Sequence, residues 1–343
     1  MRTQTIRTSP LRYRLDTVGF ALALVTFTAG SIQSAKAKII KFDPPGSTST
    51  MPTAINDAGW ITGIYLDSEG DISSFLRTPD GTITPIKVQG ATCGIYANSI
   101  NRHGAIVGEA QDSGCKSHAY IRSPDGTITT FDVPGAASTS AASINNKGII
   151  TGSYTDSGNL RHGFMRLSDG TCTNFDPPGS IFTYPVGINK AAMIAGGYED
   201  GGQVWHGFVR AKDGTISTFD PPDSIFTHAS GINDSGEVTG SYKVDNFTTY
   251  GFIRKASGEI SKVDPEGSTY VLAYGINNGG AVTGLYQTDI AHGFIQRADG
   301  TTKKFDIKGA SGVSPYAING KGAITGAFEN SDDGPAHGFL SGH

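Results

Sequence analysis

Residues 206–222 read HGFVRAKDGTISTFDPP, and residues 162–178 read HGFMRLSDGTCTNFDPP. Looser copies recur along the chain. Aligned on Phe-Asp or its equivalent, the copies start at Phe42, Ile86, Phe131, Phe175, Phe219, Val263 and Phe305. The spacings are 44, 45, 44, 44, 44 and 42 residues, so seven units fill residues 38–343. A period in the low forties with four strand-like pieces per unit is the signature of propeller blades.

One unit shows the pieces. Ala229-Ser230-Gly231-Ile232 is short and small, and Asn233-Asp234-Ser235-Gly236 turns the chain. Residues 237–242 alternate, with Val238, Gly240 and Tyr242 on one face. A loop over 243–249 leads to a third strand at 250–254, a turn at Ala256-Ser257-Gly258 and an outer strand ending at Val263. Alternation of period two between Gly-centred turns means antiparallel strands. Asp-Gly occupies five of the six complete hairpins of the last type, and it tolerates the positive φ that tight hairpins need. No helical period appears. The expected fold is all-β: a seven-bladed β-propeller with four antiparallel strands per blade, in one domain over residues 38–343.

Each unit then has an inner, a second, a third and an outer strand. Gly recurs in the second strand at 63, 108, 152, 196, 240, 284 and 326. Such a Gly marks close approach, here expected from a third-strand ring such as Phe164 or Phe208. The last unit stops at His337-Gly338-Phe339-Leu340 without an outer strand, and Ile39-Ile40-Lys41-Phe42-Asp43 matches the missing piece. The two ends of residues 38–343 are expected to complete one blade and leave no open edge.

The chain has 343 residues, with 47 Gly, 37% hydrophobic and 17% charged residues. That composition excludes a disordered chain. Arg2, Arg7, Arg12 and Arg14 precede an apolar stretch at 18–29 and then Ala35-Lys36-Ala37. This order reads as a signal peptide over residues 1–37, cleaved on export to the periplasm or beyond. Its loss leaves 22 basic and 30 acidic residues, a net charge of about −8. An acidic surface argues against nucleic acid and anionic membranes as partners. No other segment is long and apolar enough for stable membrane insertion, and a monomer is expected.

His118-Ala119-Tyr120, His162-Gly163-Phe164, His206-Gly207-Phe208, His292-Gly293-Phe294 and His337-Gly338-Phe339 stand with repeated Ile-Asn-x-x-Gly turns. In these motifs the chain resembles the HAF-repeat family of extracellular bacterial proteins, over nearly all of residues 38–343. It departs from the usual His-Ala-Phe by its central Gly. The resemblance implies export and a repeat fold. It implies no activity, so no catalytic residue is carried over.

With Arg210 opposite Thr215, His206 stands opposite Phe219 and beside Asp220. The same count sets His118 near Asp132, His162 near Asp176 and His292 near Asp306. In unit one the two slots hold Ser74 and Lys87, so both partners vanish together; in unit five Tyr250 replaces His while Asp264 stays. A pair spread once per blade serves construction, not one catalytic centre. The Asn at 56, 101, 145, 189, 233, 277 and 319 opens each inner-to-second turn, where it is expected to bond its own backbone.

Outer-to-inner crossings and second-to-third loops share one face. Phe182, Tyr184, Trp205, Phe226, His228, Tyr270 and Tyr274 gather there as candidate ligand-binding residues, although rings that merely seal gaps between blades are the plainer alternative. Cys93 and Cys115 fall in two such loops of one unit and are expected to pair, while Cys172, in a slot that holds Ile216 elsewhere, stays a free buried thiol. The acidic loops Asp67-Ser68-Glu69-Gly70-Asp71 and Asn330-Ser331-Asp332-Asp333 lack EF-hand spacing, so neither a metal nor a cofactor is expected. No phosphate loop, Gly-x-Ser-x-Gly elbow or His-Glu-x-x-His is present. The expected function is a binding module for a glycan or another exported protein. The alternatives are a hydrolase or lyase at the channel mouth and a purely structural surface protein.

Overall fold

The computed structural model describes residues 38–331 and 334–342. The expected signal peptide lies outside them. Among the described residues the secondary structure is all β apart from one 3-10 turn at Pro265–Gly267.

The strands form four-stranded antiparallel groups. In the first, Ser47–Ile55, Ile61–Asp67, Ile72–Arg77 and Ile83–Ile86 pair in sequence order. The pattern repeats down the chain. Single parallel bridges at Arg161↔Phe182 and Ala291↔Gly312 join some neighbours. In the final group Gly312–Ile318, Ile324–Glu329 and Ala336–Ser341 are completed by Ile39–Phe42, with Ile40 opposite Leu340 and Phe42 opposite Gly338. This arrangement is a β-propeller fold.

Close packing of each group follows from its glycine. A Cβ at Gly196 would lie 2.7 Å from the Phe208 ring and nearer still to the Tyr184 carbonyl oxygen. The glycine therefore admits the inner-strand backbone as well as the expected ring. Phe75, Phe164, Phe208, Phe252, Phe294 and Phe339 fill the space above it and are fully buried. Successive groups are stapled by arginines. Arg77 lies over Phe42, Arg166 over Phe131, Arg210 over Phe175 and Arg254 over Phe219, with guanidinium-to-ring distances of 4.6–5.1 Å. Each cation sits on a ring of the preceding unit's outer strand.

The asparagines do more than bond their own turns. Asn189 Oδ1 accepts from the backbone N–H of Ala191 and Met193, both at 3.0 Å. Its Nδ2 also donates to the carbonyl of Asn233 at 3.1 Å. The same reach runs from Asn56 to Asn101, on through Asn145 and Asn189 to Asn233, Asn277 and Asn319, and from Asn319 back to Asn56 at 3.0 Å. The inner strands are thus tied in a closed cycle at one end of the channel. Ile55, Ile100, Ile144, Ile188, Ile232, Ile276 and Ile318, one residue before each Asn, line the same end.

Asn189→Ala removes three hydrogen bonds from a buried site. Net contributions near 1 kcal/mol each predict a loss of about 2–4 kcal/mol. Urea unfolding should show a lower midpoint with an unchanged slope. A loss below about 0.5 kcal/mol would mean that the cycle carries no stability.

Candidate functional site

At the opposite end of the channel the inner strands open into a cavity of about 730 Å³. Six inner strands aim residues into it from two positions, and Gly312–Ile318 from one. The outer position supplies Met51, Tyr96, Ser140, Tyr184, His228 and Leu272. The deeper position supplies Thr53, Asn98, Ala142, Val186, Ser230, Tyr274 and Tyr316. Every deeper residue is the extra residue of a register shift, as Ser230 is between Ala229 and Gly231. A bulge leaves that residue unpaired and re-aims its side chain. Two residues further on, every unit carries Ile, and then Asn. The repeats agree where they close the ring and diverge where they line the cavity.

The divergence is uneven. Units four to seven supply an aromatic wall. Tyr274 and Tyr316 meet edge-on at 5.3 Å, and Tyr184 lies 6.5 Å from His228. Burial pushes the Tyr274 and Tyr316 phenols above their ordinary value. Burial also pushes the His228 imidazole down, so it is neutral at pH 7. Its ring nitrogens have no hydrogen-bond partner among the described residues. The facing wall is mixed: Thr53, Asn98, Ser140 and Ser153 are small and polar, and Met51, Tyr96 and Glu109 stand among them.

Of the residues read as candidates from the sequence, Tyr184, Phe226, His228, Tyr270 and Tyr274 line the cavity. Phe182 and Trp205 do not. Phe182 sits at the bridge to Arg161, and Trp205 stands 6.1 Å from the Phe226 ring. Tyr96, Tyr316, Glu109 and Lys243 also line it and were missed. Their signal was available, because each is bulkier or differently charged than its counterparts in most other units.

The histidine slots lie outside the cavity walls just described. His118 Nδ1 is 2.7 Å from Asp132, His162 Nδ1 2.8 Å from Asp176, and His206 Nδ1 2.7 Å from Asp220. His292 Nδ1 lies 2.8 Å from Asp306, and His337 reaches Asp43 across the two ends at 2.9 Å. The hairpin register differs by one residue from the expected one. Arg210 faces Ile216, and Gly207 rather than His206 faces Phe219. The unit-one counterpart of His is accordingly Ser73, since Ser74 faces Ile86. The aspartates reach onward: Asp220 accepts from Thr227 Oγ1 at 2.6 Å in the next inner strand. A second, looser carboxylate faces Nε2 of four of these rings: Asp112, Asp156 and Asp200 at 3.4 Å and Asp289 at 3.3 Å. In unit five Lys262 takes the cation's part. Its Nζ lies 2.6 Å from Asp264 and 3.6 Å from the Tyr250 ring centroid.

Cys93 and Cys115 form a disulfide with Cα atoms 5.3 Å apart. Cys172 is free but only half-buried, unlike the buried slot expected, because the outer strand leaves its first residue partly open. Burial still raises its thiol pKa. Among the described residues no group of three or more His, Cys, Asp or Glu is placed to hold a metal, and no helix is long and apolar enough to cross a membrane. Asp67 Oδ1 accepts from the N–H of Glu69 and Asp71 at 2.9 Å, an ordinary turn; the Asp332-Asp333 loop lies outside the described residues.

No family model matches the chain, and no curated protein sequence matches it. Solved structures do. The β-propeller domain of the Trilobed protease from Pyrococcus furiosus superposes with a TM-score of 0.62 at 11% identity, over 85% of this chain and 95% of that one. Virginiamycin B lyase from Staphylococcus aureus gives 0.60 at 13% identity, over 89% and 99%. A streptogramin B lyase gives 0.59 at 13% identity, over 89% and 97%. At these identities the likeness is one of fold.

Two outcomes follow for the loop face. For His118 the Asp132 hydrogen bond raises the pKa against opposing burial. For His162 and His206 burial works downward most strongly, but their aspartate partners together outweigh it. A folded pKa above the unfolded one stabilises fully below the unfolded value, near 6.5, and the gain fades as pH rises through the folded value. Melting curves should therefore fall from pH 6 to pH 8 more steeply in the parent than in a triple His→Gln variant, by at most about 1 kcal/mol per site. Identical slopes would remove the charged pair from the account. Reducing the disulfide opens a loop spanning 22 residues of sequence separation. Cys93→Ala with Cys115→Ala should lower stability by about 2–4 kcal/mol by denaturant titration.

Proposed function

We propose that this chain is an exported seven-bladed β-propeller, akin to the HAF-repeat proteins, that acts as a binding module. Its ligand sits in the cavity on the loop face. The blade count is supported by the seven-membered asparagine cycle and by the outer strand that the N-terminal segment lends to the last group. Export is supported by the character of residues 1–37 and by a disulfide, which an oxidising compartment sustains.

One observation carries the binding reading. The repeats hold Ile and Asn constant yet differ at nearly every position facing the cavity. Divergence confined to a concave, aromatic and polar-lined space is the pattern of a recognition site on a repeated scaffold. A concave cavity of this size suits a sugar ring or a short segment of an exported protein better than a flat protein surface.

Ser230→Trp is expected to fill the cavity while leaving the strand cores intact. The parent should retain ligands from a glycan and exported-peptide array. Ser230→Trp should lose them by about tenfold or more at an unchanged melting temperature, and a variant with Tyr184 and Phe226 changed to Ala should lose them while still folding. Full retention by folded Ser230→Trp would place binding elsewhere.

A second reading, a hydrolase or lyase at the same cavity, is favoured by His228. A neutral imidazole without a protein partner can accept a proton. It requires that a bound ligand be converted to product, and that His228→Ala abolish conversion while still binding.

A further inference from the structure

Two formally charged side chains line the cavity, Glu109 and Lys243, and neither has an ion-pair partner among the described residues. Both break the repeat. Glu109 occupies a second-strand slot that holds Ile64, Ser153, Gly197, Ser241, Leu285 and Ala327 in the other units. It is half-buried, opposite Tyr96. Burial, and then the Glu109 carboxylate, raise the Tyr96 phenol pKa, so the negative field reaches the cavity wall. Lys243 lies at the end of the second strand three units on, with Nζ 5.5 Å from the Phe226 ring. Between the two stands the aromatic wall.

We propose that the cavity takes a small zwitterion with an aromatic body, of the class of a short aromatic peptide with free termini. The claim rests on the cavity being the binding site. The ammonium of the ligand pairs with Glu109 and faces the Tyr96 ring, where cation–π attraction adds to the charge pairing. Its ring lies against Phe226, Tyr274 and Tyr316. Its carboxylate meets Lys243 at the rim. Asn98 Nδ2 is committed to the Ala141 carbonyl at 2.9 Å, which leaves its Oδ1 to accept from a peptide N–H. A cavity of about 730 Å³ falls in the range of drug-sized ligands. A neutral sugar would leave both charges unpaired, so the charges favour the peptide.

The test is calorimetric titration of the purified protein with the dipeptide Phe-Tyr, its N-acetyl form, its C-terminal amide and phenyl β-glucoside. Tryptophan fluorescence gives a second readout, since Trp205 abuts Phe226. Phe-Tyr should bind. N-acetylation and Glu109→Gln should each weaken it by about tenfold or more, and amidation and Lys243→Met by several-fold. Glu109→Gln should melt no lower than the parent, because the carboxylate has no internal partner to lose. Equal affinity for the N-acetyl form, unchanged affinity in Glu109→Gln, or a lower melting temperature in that variant would overturn the proposal. If the glucoside binds and Phe-Tyr does not, and Ser230→Trp blocks it, the zwitterion fails while the cavity stands. If neither probe binds to about 10 mM, both fail.

Discussion

Each asparagine at the inner-to-second turn is caught between two demands. Its carbonyl oxygen satisfies two backbone N–H groups of its own turn, and its amide donates to the backbone carbonyl of the next unit's asparagine, joined at Asn233 by a second bond to Glu237 Oε2. Buried amides left unpaired destabilise by more than a made hydrogen bond returns. The chain of donors therefore has to end on itself, and Asn319 ends it on Asn56. That single closure sets how near the inner strands approach, and the glycine in each second strand is what lets them come so near.

A channel fixed at one end can vary at the other. Isoleucine and asparagine recur without exception around the closed end. Beyond them a bulge in every inner strand takes one residue out of the ladder. Its side chain is released from pairing, so its identity costs the sheet little. The outer strands are held independently, by arginine over phenylalanine between units and by the histidine, aspartate and threonine contacts across the crossings. Stability is thus placed away from the cavity, and the lining residues are free to serve a ligand.

Repetition made part of this legible. The strand order, the turns, the borrowed outer strand and the loop-to-loop disulfide all follow from reading one unit against another. The contact of His206 with Asp220 could be anticipated despite a register wrong by one residue, because both side chains lie at strand ends and have reach to spare. The role of Lys262 could not. It replaces the histidine as a cation but comes from the outer strand, so no alignment of the histidine column reveals it. Trp205 and Phe182 were misplaced for a related reason, since loop position alone does not say which way a ring turns.

The sequence by itself determined the local structure: period-two strands, Gly-centred turns and their number are written in residues a few positions apart. It also placed the half-cystines, because both lie in loops of one unit. Only the tertiary structure decided what meets across the channel. The asparagine partners lie 42 to 45 residues apart, or 263 at the closure, and carry no local mark of their pairing. The facing of Glu109 and Lys243 into one space depends on ring closure and on bulges that alternation alone does not show. Local sequence selects backbone conformation within a turn or a strand; the direction of a side chain into a shared cavity is set by how distant strands are brought together.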